Sequence, residues 1–157
     1  MIFFKKKPKL LKVGSPAPDF SVKDHEGNRV SLSDFQGQRV LIYFYPKADT
    51  PGCTIETKGF CAKRADLGEG LAILGVSFDD AAANKAFAEK YDVTFPLLCD
   101  TSRAMGIAYG AATRTDAEYP ERITYVIDRD GMVEYAEKVT DIEAHIHAAA
   151  AHLMDDA

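Results

Sequence analysis

The sequence predicts an α/β fold with a central mixed sheet flanked by helices and a β-hairpin ahead of it. Three observations carry this. Residues 40–45 and 71–78 are apolar runs without polar alternation, as expected of strands covered on both faces. Helix-forming segments follow each of them, and strands joined through helices pair in parallel with right-handed crossovers. Later, Asp128-Arg129-Asp130-Gly131 separates two more apolar runs and reads as the turn of an antiparallel hairpin.

Taken in order, residues 1–12 form a basic arm and residues 13–157 one domain. Phe20-Ser21-Val22 and Arg29-Val30-Ser31-Leu32 are short strands around His25-Glu26-Gly27-Asn28, and Ser33 to Gly37 is a turn ended by glycine. A strand at 40–45 leads into a helix at 53–67 stopped by Gly68 and Gly70. A strand at 71–78 precedes an exposed helix at 81–91 rich in good helix formers. Residues 95–99 form a third strand, and Asp100 and Thr101 cap a helix reaching about Tyr109. Strands at 123–127 and 132–137 and a helix at 141–153 complete the chain. This order is that of a thioredoxin-like fold.

Composition removes several functions. A chain of 157 residues can bury a sizeable core, and 46% hydrophobic with 27% charged residues is ordinary for a globular protein. A net charge of −5 opposes nucleic-acid binding, which needs a positive surface to displace counterions. No run approaches the roughly 18 apolar residues of a membrane span. Met1-Ile2-Phe3-Phe4 ahead of Lys5-Lys6-Lys7 reverses the order of a signal peptide, so a cytoplasmic protein without a membrane partner is expected. Three cysteines, at 53, 61 and 99, make no disulfide framework. His145 and His152 could share a helix face, but solvated residues on the last helix are expected rather than a metal site.

The chemistry centres on Pro46-Lys47-Ala48-Asp49-Thr50-Pro51-Gly52-Cys53, which directly follows the first buried strand. In open α/β sheets, sites gather at the carboxyl ends of the strands. A cysteine in the first turn of a helix faces unpaired N–H groups and a dipole that favours the thiolate. The bland alternative is an inert core cysteine. The spacing Pro46, Thr50, Cys53 resembles the peroxidatic motif of the peroxiredoxins. The longer string from Tyr43 through Glu56 is similar to their Q-type, or bacterioferritin-comigratory, subfamily.

A free thiol of pKa ~8.5 is only a few per cent ionised at neutral pH. Lowering such a value by about two units takes about 2.7 kcal/mol. A helix N-terminus supplies ~0.3–1 kcal/mol, so a cation is also needed. Arg122 is the candidate, because Tyr119 to Asp128 resembles the family segment in which an arginine begins a strand. The resemblance implies that this arginine hydrogen-bonds the sulfur and the peroxide oxygen; Arg114 is the next candidate. Thr50 is expected to accept a hydrogen bond from peroxide while donating towards the developing anion. Pro46 is expected to shield the thiolate without offering a donor. The Cys53 N–H would complete the donor set. Glu56, one turn on, is expected either to orient Thr50 or Arg122 or to be an ordinary first-turn acid.

The implied function is a thiol peroxidase that reduces hydrogen peroxide and organic hydroperoxides through a Cys53 sulfenic acid. Neither metal nor other cofactor is needed, the reductant is thioredoxin or a similar dithiol, and the resemblance suggests a monomer. Family members often resolve the sulfenic acid with a cysteine five residues on, where this chain has Lys58, or with one in the next helix, where 81–91 has none. Cys61 is then the possible internal resolver, with an external thiol next and Cys99 third. Two rivals remain. A thioredoxin-like disulfide oxidoreductase would need a second thiol where Glu56 stands, and a non-catalytic redox sensor could use the same fold.

Overall fold

The computed structural model describes residues 9–64, 66–67 and 70–155. Most of the expected basic arm, and Gly68 as a helix stop, lie outside the described residues. The elements are β1 (Ser21–Lys23), β2 (Arg29–Ser31), β3 (Arg39–Phe44), α1 (Pro51–Lys63), β4 (Leu71–Ser77), α2 (Ala81–Lys90), β5 (Leu97–Cys99), α3 (Ala104–Ala108), β6 (Ile123–Ile127), β7 (Val133–Lys138) and α4 (Ile142–Asp155). A short 3-10 helix, Leu32–Phe35, occupies the turn expected before β3.

The five-stranded sheet has the order β5-β4-β3-β6-β7, and β1 with β2 forms a separate antiparallel hairpin. β3 pairs in parallel with β4 and antiparallel with β6; Phe44 stands opposite both Val76 and Ile123. The carboxyl ends of β3 and β4 therefore meet the start of β6 at one edge. That register brings Pro46, Asp79 and Arg122 together from three distant parts of the chain.

Alternation along β3 builds two cores, as a doubly covered strand requires. Val40, Ile42 and Phe44 join Leu74, Tyr125, Met105 and Tyr109 on one face. Leu41, Tyr43 and Tyr45 join Phe60, Phe87, Ala149 and Leu153 on the other. All six β3-side residues are essentially inaccessible, and burying each such side chain stabilises the fold by about 1.5–3 kcal/mol.

The helices depart from expectation in instructive ways. α1 starts at Pro51 rather than Cys53 and ends at Lys63 rather than 67. Proline has the helical φ preset, and its missing N–H would have been unpaired at that position anyway. Gly59, a residue of low helix propensity inside α1, is a packing site. A Cβ there would lie 2.3 Å from Ile146 Cδ1 on α4. α2 is not simply exposed: Asn84, Phe87 and Ala88 are buried, and Asp80 caps the helix by accepting from the Ala83 N–H. α3 begins at Ala104, later than expected, after Arg103 in the left-handed region at φ 67°. Asp100 still serves its start, accepting from the N–H groups of Met105 and Gly106 at 3.2 and 2.7 Å, whereas Thr101 is exposed.

His145 overturns the expectation of a solvated residue. It is 1% exposed, with Nε2 2.8 Å from Thr124 Oγ1 and Nδ1 2.5 Å from Glu137 Oε2. Its pairing with β7 and β6 clamps α4 to the sheet. His147 is exposed, and His152 lies 3.1 Å from Glu134. Among the described residues, no helix is long and apolar enough to cross a membrane.

Candidate active site

After β3 the chain turns through Pro46 to Thr50 before entering α1, and this turn is tied from outside. The Ala48 N–H donates to Asp79 Oδ2 at 2.8 Å. Asp49 adopts φ 59°, a left-handed conformation costly for any residue with a Cβ. Its carboxylate is gripped by Lys90 Nζ at 3.0 and 3.1 Å and by the Tyr91 hydroxyl at 3.1 Å. Thr50 sits at the N-cap of α1 without capping it. Its hydroxyl donates instead to the Lys47 carbonyl at 2.7 Å.

Cys53 is thus the third residue of α1, and its side chain is fully buried. Two donors address its sulfur: Arg122 Nη2 at 3.4 Å and the Lys47 backbone N–H at 3.5 Å. Arg122 precedes β6, and its carbonyl accepts from Val139 N–H at 2.9 Å, which anchors the backbone. The other arm of the guanidinium, Nη1, donates to Glu56 Oε1 at 2.8 Å. One planar cation therefore spans Cys53 and Glu56, two residues on the same face of α1.

The electrostatics of the pair are unequal. The Glu56 side chain is 0% exposed and that of Arg122 16%. Burial pushes Glu56 up to about 7 against the pull of Arg122. Burial also works against the Arg122 charge, but Glu56 and Cys53 outweigh it, and Arg122 moves upward. Loss of all hydration on the carboxylate and only part of it on the guanidinium accounts for the difference.

Gly52 has a local reason to be glycine. A Cβ there would lie 3.1 Å from Arg122 Nη2 and 3.0 Å from Ile142 Cδ1. Any larger residue would crowd the guanidinium against the first residue of α4. The site opens to solvent through a cavity of about 630 Å³, walled by Pro46, Thr50, Gly52, Phe78, Tyr119 and Arg122 among others. A second cavity, of about 400 Å³, lies near Phe35 and Asp128–Gly131 and contains none of these groups.

The predicted residues Pro46, Thr50, Cys53, Glu56 and Arg122 are thus brought together. Cys61 is not among them: it lies two turns along α1, half-buried, with burial pushing its thiol up against a Thr94 backbone hydrogen bond. Cys99 ends β5 and receives Asn84 Nδ2 at 3.4 Å; burial pushes it up as well. Arg114 is exposed and paired with Asp116 at 2.8 and 2.9 Å. Sequence reasoning missed the Lys47 N–H as a donor and Gly52 as a clearance. A Pro/Gly-rich turn that must fold back on its own cysteine was the available signal for the first.

The same sequence is similar to known proteins over most of its length. A wheat (Triticum aestivum) protein named peroxiredoxin Q, chloroplastic, is 43% identical over 126 residues; the match covers 78% of this chain and 57% of that protein's length. Peroxiredoxin Bcp of Escherichia coli strain K12 is 42% identical over 132 residues, covering 80% of this chain and 84% of that protein. A solved structure of the Xanthomonas campestris bacterioferritin comigratory protein, described for its alkyl peroxide reduction activity, superposes with a TM-score of 0.80 at 28% identity. It covers 87% of this chain and 91% of the other. The AhpC/TSA family model matches residues 13–136. By fold, by motif and by this match over most of its residues, the chain belongs to the AhpC/TSA family.

Proposed function

We propose that the chain is a thiol peroxidase with Cys53 as its nucleophile. The observation that carries this reading is the Cys53 sulfur, buried in the first turn of α1 and addressed by Arg122 Nη2 at 3.4 Å and the Lys47 N–H at 3.5 Å. The thiolate attacks one oxygen of a hydroperoxide, forming the S–O bond as the O–O bond breaks. The leaving oxygen takes a proton: Cys53–S⁻ + ROOH + H⁺ gives Cys53–SOH + ROH. Arg122 balances the negative charge moving from sulfur to oxygen and orients the peroxide. Thr50 has committed its hydrogen to Lys47 O, so its lone pairs accept from the peroxide O–H rather than donating to the anion. Pro46 walls the cavity without an N–H to compete.

The sulfenic acid is then returned to thiol by thioredoxin or a similar dithiol. An incoming thiol condenses with Cys53–SOH to a mixed disulfide and water, and a second thiol releases Cys53. Cys61 is the internal alternative. Eight residues along an intact helix are about 12 Å, against roughly 7 Å for bridgeable Cα atoms. Opening α1 would also strip Gly59 from Ile146, which favours the incoming thiol. Free cysteines at 53, 61 and 99 fit a reducing, cytoplasmic setting, and a monomer is the assembly proposed.

The experiment is single-turnover peroxide consumption by the reduced protein, run beside insulin disulfide reduction. One equivalent of peroxide consumed per chain, with no insulin reduction, supports the reading. Insulin reduction without peroxide consumption points to a disulfide oxidoreductase, and neither activity to a sensor.

A further inference from the structure

Glu56 Oε1 is satisfied by Arg122, but Glu56 Oε2 is buried and has no hydrogen-bond partner among the described residues. Buried carboxylates are almost always fully bonded, and a bare ionised oxygen away from water is costly. The cost is far smaller for the neutral acid. Among the described residues, the groups facing Glu56 leave it one counter-charge. Cys53 lies one turn before it on α1, and Arg122 reaches it from the start of β6. Thr57 on α1 and Tyr43 on β3 are bonded to each other at 2.9 Å. On α4, which packs on α1, His145 has both ring nitrogens occupied by Thr124 and Glu137.

On the reading of the site given above, we propose that Glu56 is a titrating positioning residue. As a carboxylate it holds Arg122 against the Cys53 sulfur; as a neutral acid it lets that contact loosen, and the peroxide step slows. Geometry makes the link. The guanidinium is a rigid fork, so the arm on Glu56 fixes where the arm on Cys53 points. A charge-assisted hydrogen bond is roughly twice as strong as a neutral one, so protonation weakens the anchoring arm directly. The midpoint near neutral pH follows from burial. A glutamine at this position would hold the fork at one strength at every pH, whereas this chain carries an acid.

The test compares the parent with Glu56→Gln in single-turnover peroxide consumption at about pH 6 and about pH 8. The parent rate should fall on the order of tenfold more than the variant rate between the two, as expected for one proton taken up around pH 7. Glu56→Gln should also be slower than the parent at the higher pH. A purely structural role would lower the variant's rate by the same factor at both pH values and would overturn the proposal. The second measurement needs no variant: carbon-13 NMR of the glutamate carboxyl groups in the reduced parent. One resonance titrating near neutral pH is expected, and its absence from a folded Glu56→Gln assigns it. No glutamate titrating between about pH 6 and about pH 8 would overturn the proposal, even if the variant fails to fold. A parent that consumes no peroxide would sink the peroxidase reading instead, and the NMR titration would still decide whether Glu56 holds its proton to neutral pH.

Discussion

Cys53 and Cys99 are both buried, at 0% and 9% exposure, and both lie at the carboxyl-terminal edge of one sheet. Their sulfurs face different chemistry. Cys53 has a guanidinium and a backbone N–H aimed at it across the first turn of a helix. Cys99 has a side-chain amide, itself part of a neutral network with Ser77 and Tyr45, and Asp24, Asp79 and Asp80 raise it further beyond the effect of burial. Position at the sheet edge and depth are shared, so neither distinguishes the two thiols. The cation does, and it arrives because β6 runs antiparallel to β3 and starts where β3 ends.

The largest effect expected is a complete one. Cys53→Ser should abolish single-turnover peroxide consumption, while Cys99→Ser and Cys61→Ser leave it intact. Consumption at the normal rate by the Cys53 variant would erase the distinction between the two regions. Next, Arg122→Met should slow the peroxide step by a factor on the order of 10²–10³, as for loss of one anion-stabilising donor. An unchanged rate would mean that the cation is not what separates Cys53 from Cys99.

A pH effect on stability sharpens the same contrast. Glu56 is raised from its ordinary 4.5 to about 7 in the folded protein. The unfolded chain therefore releases this proton first. The stability contributed by neutral Glu56 is full below about pH 4.5 and lost as pH rises through about 7. Denaturant titrations should show the parent losing stability relative to Glu56→Gln across that window; parallel curves would refute it. Gly59→Ala should destabilise by about 1–3 kcal/mol through overpacking, partly offset by ~1 kcal/mol of helix propensity. Ile146 is β-branched, and its Cγ2 would also lie 3.2 Å from the new Cβ, so it cannot swing clear. The smallest effect is Cys99→Ala, about 1 kcal/mol for a lost sulfur contact and a stranded Asn84 amide. Calorimetry measures both.

Which parts of the molecule were legible follows from how local their causes are. The strands at β3 and β4 and the hairpins are short-range patterns, and their bounds are legible within a residue or two. Helix starts were less legible, because Pro51 extends α1 forward and Arg103 delays α3 through backbone conformations that composition does not reveal. His145 looked solvated because its partners Thr124 and Glu137 come from other strands. The Gly59 and Gly52 clearances are set by Ile146 and Ile142 on a helix about ninety residues away in the sequence. Arg122 was found only because a family pattern marks it; its spacing from Cys53 has no local signature.

The most direct test of the central claim, that the surroundings of Cys53 make it the reacting thiol, is peptide mapping after one equivalent of peroxide in the presence of a sulfenic-acid trap. All three cysteines are free in the same chain, so each serves as the others' control. The trapped adduct is expected on the peptide containing Cys53, with Cys61 and Cys99 unmodified. An adduct on Cys99 or Cys61 with Cys53 still reduced would contradict the account.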